Sequence, residues 1–81
     1  MSKPGSAGYI ALGIRLAREG KWEESAEAYR EALRMDPQSV EALTNLGFVY
    51  YEMGLDEQAE ETFRQAEDLR GSSEKCHPNE L

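Results

Sequence analysis

Cys76 and His77 stand side by side near the end of an 81-residue chain that has no other cysteine or histidine. A thiolate and an imidazole are zinc ligands, but a four-coordinate site needs more donors than these two, so another chain would have to supply the rest. Covalent haem attachment would need a second cysteine three residues before Cys76, where Ser73 stands. A lone cysteine forms no internal disulfide and leaves the redox compartment open. The 16 Asp and Glu residues gather in runs such as Glu57, Glu60 and Glu61. Runs of this kind are solvated helix surface rather than acid-base pairs. No Gly-rich phosphate loop opens a helix. The expectation is a protein without catalysis, metal or cofactor.

What remains is non-covalent recognition, and charge limits its partners. The formal net charge is -7, and it is unevenly spread. Residues 1–37 carry six basic and six acidic groups, whereas residues 38–81 carry three basic and ten acidic. An acidic field repels phosphate backbones and anionic head groups and attracts basic peptides. Nucleic acid and membrane surfaces are therefore excluded as expected partners. No apolar run approaches the roughly 18 residues that span a bilayer, and the start, MSKPGSAG, has no apolar signal core behind Lys3. The chain is expected to be soluble and cytoplasmic, one small domain of modest stability.

The elements that position these side chains follow from an internal repeat. Sliding the chain by 34 residues puts Leu12 on Leu46, Gly13 on Gly47, Gly20 on Gly54, Glu23 on Glu57, Tyr29 on Phe63 and Ala32 on Ala66. Within each copy, apolar and small residues recur at helical spacing: Tyr9, Leu12, Gly13 and Leu16, then Ala26, Tyr29, Ala32 and Leu33. The second copy has Leu43, Leu46, Gly47 and Tyr50, then Ala59, Phe63 and Ala66. The pattern predicts four helices near residues 7–19, 22–35, 40–53 and 56–69. Gly20 and Gly54 mark the turn inside each copy, since glycine accepts the left-handed conformation that ends a helix. Pro37 disfavours helix at Asp36, and Ser39 is placed to cap the third helix. Gly13 and Gly47 fall inside helices, where glycine costs about 1 kcal/mol relative to alanine. Their recurrence predicts that the helices of each hairpin approach too closely there for a side chain.

The segments LTNLGFVY and AEETF, with YIALGIRL, SAEAY and Pro37 in the first copy, resemble the tetratricopeptide repeat over about residues 6–70. The resemblance implies an all-α domain of two tandem helix-turn-helix hairpins, its four antiparallel helices forming a short right-handed solenoid. Repeat 1 is expected at about 6–39 and repeat 2 at about 40–70, between a flexible N-terminus at 1–5 and a flexible tail at 71–81. Leu16 in place of Tyr50, Ser25 in place of Ala59 and Gly71 in place of Pro37 depart from the repeat.

In such repeats the first helix of each hairpin lines a concave groove. The resemblance therefore assigns Ile10, Ile14, Ala17 and Arg18 to the groove from the first helix, and Glu41, Thr44, Asn45, Phe48, Tyr51 and Glu52 from the third. Ile14, Phe48 and Tyr51 would present an apolar strip rimmed by charge, and Asn45 can hydrogen-bond a peptide backbone through both ends of its amide. Relatives that clamp chaperone C-termini use a basic and amide cluster there, which Ile10 and Ile14 replace and Glu41 opposes. The implied function is a protein-interaction scaffold that binds a basic or apolar peptide or helix. The alternative is a structural or oligomerisation element of a larger assembly.

Glu60 and Glu67 occupy the places of Ala26 and Leu33, and Arg15 the place of Val49. Stacking another repeat on the last helix would bury carboxylates without partners. Both ends are accordingly expected to act as polar caps. The expected state is a monomer or weak dimer, with Phe63 left between the two glutamates.

Overall fold

The structure, a computed structural model, describes residues 5–71. Expectations that fall on residues 1–4 and 72–81, including those for Cys76 and His77, lie outside the described residues. Among the described residues the chain forms four helices and no strand. They are α1 (Ser6–Arg18), α2 (Trp22–Met35), α3 (Val40–Glu52) and α4 (Asp56–Gly71). Helix α1 packs along α2, α3 along α4 and α2 along α3, with a smaller contact between α1 and α3; α4 touches α3 alone.

The two turns inside the hairpins repeat bond for bond. Gly20 and Gly54 have φ of 78° and 81°, the left-handed conformation expected of them. The Gly20 amide donates to the carbonyl of Ala17 and the Gly54 amide to that of Tyr51, each at 3.0 Å. The Lys21 and Leu55 amides then reach back to Leu16 and Tyr50, each at 2.9 Å. These bonds satisfy carbonyls that the helix end would otherwise leave unpaired. Between the copies, the Ala42 amide donates to the Ser39 hydroxyl at 3.1 Å, the anticipated cap of α3.

Gly13 and Gly47 are the holes of the two hairpins. A Cβ at Gly13 would lie 2.5 Å from Cε1 of Tyr29, and one at Gly47 would lie 2.8 Å from Cε1 of Phe63. Both lengths are below any real carbon-carbon contact, so an aromatic ring from the second helix fills the space that a methyl would need. In the first hairpin Ser25, fully buried, also donates its hydroxyl to the Gly13 carbonyl at 2.6 Å. A bond of this kind contributes about 1 kcal/mol. Ala59 stands in the same place in the second hairpin and is buried without it.

Comparison of positions 34 apart separates the two kinds of packing. Gly13 and Gly47, Ser25 and Ala59, Ala28 and Thr62, and Ala32 and Ala66 are buried in both copies, so they belong to the hairpin itself. Ala26 and Tyr29 are buried on α2 whereas Glu60 and Phe63 are exposed on α4; Ala42 and Val49 are buried on α3 whereas Gly8 and Arg15 are exposed on α1. These last are the seam between hairpins, closed once, where α3 meets α2. Tyr29, 1% exposed, is the largest fully buried side chain in it. Burying a ring of that size contributes roughly 3 kcal/mol.

Two details depart from the sequence-based expectation. Helix α4 continues through Gly71, two residues past the expected end, because the position that holds Pro37 after α2 holds glycine after α4, and no proline ring blocks the preceding turn. Tyr50, which helical spacing groups with Leu43, Leu46 and Gly47, is buried but turns its hydroxyl across the seam, where it accepts a 2.8 Å hydrogen bond from Nη1 of Arg30.

Candidate functional site

Five residues expected in the groove come together at one place. Ile14, Ala17 and Arg18 of α1 and Asn45 and Phe48 of α3 line a hollow of about 280 Å³, joined by Trp22 and Tyr29. The hollow exists because α1 and α3 lie side by side with little direct contact, while the start of α2 closes it from below. Its walls are mostly apolar, with one amide and one guanidinium as polar groups. That composition suits an apolar side chain whose neighbouring backbone meets Asn45.

The other expected groove residues are arranged around this hollow without lining it. Phe48 is 49% exposed and Tyr51, three residues further along α3, is 61% exposed. Thr44, Glu41 and Glu52 are also exposed on α3, so two carboxylates flank the aromatic pair. Ile10 is 8% exposed and belongs to the core cluster. It supports the wall of the groove and offers no surface for contact. Ile14 and Ala17 are half-buried, and their counterparts 34 residues on, Phe48 and Tyr51, are open. The difference follows from position: α3 lies beside α1, and no described helix lies on the far side of α3.

Trp22 and Tyr29 line the hollow although neither was assigned to it from the sequence. Tyr29 is buried in the seam between the copies, and its ring reaches the hollow through that seam. For Trp22 a signal existed: its counterpart is Asp56, so the first copy carries a large aromatic ring where the second has a charge at the start of a helix. Trp22 and Met53 also meet at a wider opening of about 550 Å³ between the two turns, lined with Gly20, Lys21, Glu23 and Glu24.

The one clear electrostatic perturbation in this region falls on Tyr29. Burial raises its phenol above the ordinary value; the charge of Glu41 adds to the rise, and a hydrogen bond with Ser25 opposes it. The Tyr29 side chain is therefore neutral at physiological pH and presents its ring, not a charge, to the hollow. Among the described residues no group of three or more His, Cys, Asp or Glu side chains is placed to hold a metal ion, and no helix is long and apolar enough to cross a membrane.

Comparison with known proteins bears on the repeat. A family model described as "TPR repeat" matches residues 13–54, and one described as "Tetratricopeptide repeat" matches residues 40–72. The chain is 31% identical over 74 residues to "Photosystem I assembly protein Ycf3" of Synechococcus sp. (strain CC9605), which covers 88% of this chain and 43% of that protein. The Ycf3 of Parasynechococcus marenigrum (strain WH8102) matches to the same extent. The chain is also 34% identical over 51 residues to "BBSome complex member BBS4" of Bos taurus, covering 63% of this chain and 10% of that protein. It thus spans under half the length of these relatives.

Proposed function

Because the chain belongs to the tetratricopeptide repeat family, we propose that it is a non-catalytic protein-interaction module that holds a peptide or helix of a partner across α1 and α3. The observation that carries this proposal is the hollow between the two helices, apolar in its walls and open to solvent, with Phe48 and Tyr51 exposed beside it. An apolar anchor of the partner enters between Ile14, Trp22 and Phe48. Asn45 bonds the partner's backbone next to that anchor. Glu41 and Glu52 favour basic residues on either side, while Arg18 disfavours them at the α1 rim. The printed names of the relatives, an assembly protein and a member of a protein complex, support a role in bringing other proteins together.

The test is a peptide array of apolar, basic and acidic segments, followed by calorimetric titration of the strongest binder. Basic and apolar sequences are expected to bind and acidic ones to be rejected. Phe48→Ala combined with Tyr51→Ala should weaken binding by about 2 kcal/mol or more, roughly 30-fold, since exposed aromatic anchors carry most of such an interface. Both side chains are exposed, so the circular dichroism melt should stay unchanged. Undiminished binding by this folded double variant, or a preference for acidic peptides, would refute the groove.

A further inference from the structure

Among the described residues the seam between the hairpins is closed once, and the same two faces recur on α1 and α4 without a helix against them. On α4 the seam positions are Glu60, Phe63 and Glu67, all exposed; on α1 they are Gly8 and Arg15, also exposed, with Leu12 and Leu16 half-buried. Among the described residues neither Arg15 nor Glu60 has an ion-pair partner, and Glu67 pairs only with Arg70 of its own helix, at 3.6 Å. One end thus carries a cation where the internal seam has Val49, and the other carries two carboxylates where the internal seam has Ala26 and Leu33.

We propose that these ends are complementary and that copies of the chain stack head to tail, with α1 of one copy on α4 of the next and Arg15 seated between Glu60 and Glu67. The internal α2–α3 seam is the template for the contact. Glu60 and Glu67 are seven residues apart, two turns or roughly 10 Å along one face, which leaves room for a guanidinium between them. As polar caps these residues only discourage stacking; facing one another they supply the partners whose absence makes burial of a charge costly.

Further apolar burial comes with the contact. Phe48 and Tyr51 stand at the positions of Ile14 and Ala17, which α3 half covers within the chain. A second α1 beside α3 would cover them in the same way, and Leu12 and Leu16 would lie against Phe63. The contact is heterologous, so it does not close at two copies and extends as a continuing solenoid. Repulsion between copies of net charge -7 keeps it weak, which sets the concentration at which it must be sought.

Sedimentation equilibrium up to about 1 mM, the range of a 4 kcal/mol association, provides the measurement. The average mass should climb from the 9.1 kDa of one chain past that of two copies without levelling. Arg15→Glu alone, and Glu60→Arg with Glu67→Arg alone, should each weaken association roughly tenfold or more, because like charges then face each other. An equimolar mixture of the two variants should associate again, since every contact in it pairs opposite charges. All three positions are exposed, and circular dichroism checks that the fold is kept. A monomer at every concentration, a mass that stops at two copies, association indifferent to the reversals, or a mixture that fails to recover would each overturn the proposal. None of the three residues lies in the proposed peptide groove, so peptide binding by the Arg15→Glu variant tests that groove separately.

Discussion

A single missing methyl at position 13 decides how closely the first hairpin closes. Glycine there costs about 1 kcal/mol of helix propensity, and alanine would recover it. The added Cβ would fall 2.5 Å from a Tyr29 ring that is 1% exposed and packed into the seam. Overpacking costs roughly 1 to 3 kcal/mol or more, so the clash outweighs the propensity gain. Gly47→Ala meets Phe63 at 2.8 Å, but that ring is 37% exposed and can swing outward. Urea denaturation should show Gly13→Ala losing about 2 kcal/mol and Gly47→Ala less than half of that. Equal losses would mean that exposure of the ring gives no relief.

Tyr29 also ties stability to alkaline pH. Burial raises its folded-state pKa above the unfolded value, with Glu41 adding to the effect. Below about pH 10 both states are protonated and the contribution of the neutral phenol is fully present. As pH rises through the unfolded value and toward the folded one, the unfolded chain releases its proton first and stability falls. Denaturation midpoints measured between about pH 8 and pH 11 should therefore decline more steeply for the wild type than for Tyr29→Phe. Parallel declines would show that the phenol ionises equally in both states.

At the scale of the helices, start and stop signals are local chemistry, and they were readable in advance. Gly20, Gly54, Pro37 and Ser39 each act through their own backbone or hydroxyl, which is why all four helices appear within two residues of their expected bounds. Ser39 is the only described cap that uses a side chain; Gly5 and Lys21, ahead of α1 and α2, make no such bond. Ser39→Ala should therefore cost about 1 kcal/mol in a thermal or urea melt, with Ser39→Gly costing less. A loss below a few tenths would mean that water serves the Ala42 amide equally well.

The site was legible only in part, because what covers a residue depends on how one hairpin is offset against the next. Periodicity puts Ile10 and Phe48 on the same side of their helices, yet the first is buried and the second exposed. The 34-residue register shows that Tyr50 replaces Leu16; it does not show that Arg30 would reach across the seam to meet the new hydroxyl. The 34-residue comparison marks Trp22 as unusual beside Asp56, but that the start of α2 lies at the hollow between α1 and α3 is a fact of three-dimensional arrangement. The hairpins, in contrast, rest on contacts between neighbours in sequence, and these the pattern of glycines and aromatics foretells.

Each of the three connections in the described chain is short: residues 19–21, 36–39 and 53–55. Every substantial helix contact joins successive helices. The loops that must close during folding are therefore small, and little entropy is lost before packing begins to repay it. A chain of such low contact order falls among the fast folders, in the microsecond to millisecond range. Either hairpin can form first and serve as the surface on which the other condenses. The architecture that leaves the outer faces of α1 and α4 open among the described residues is the same one that spares the chain a long search for distant partners.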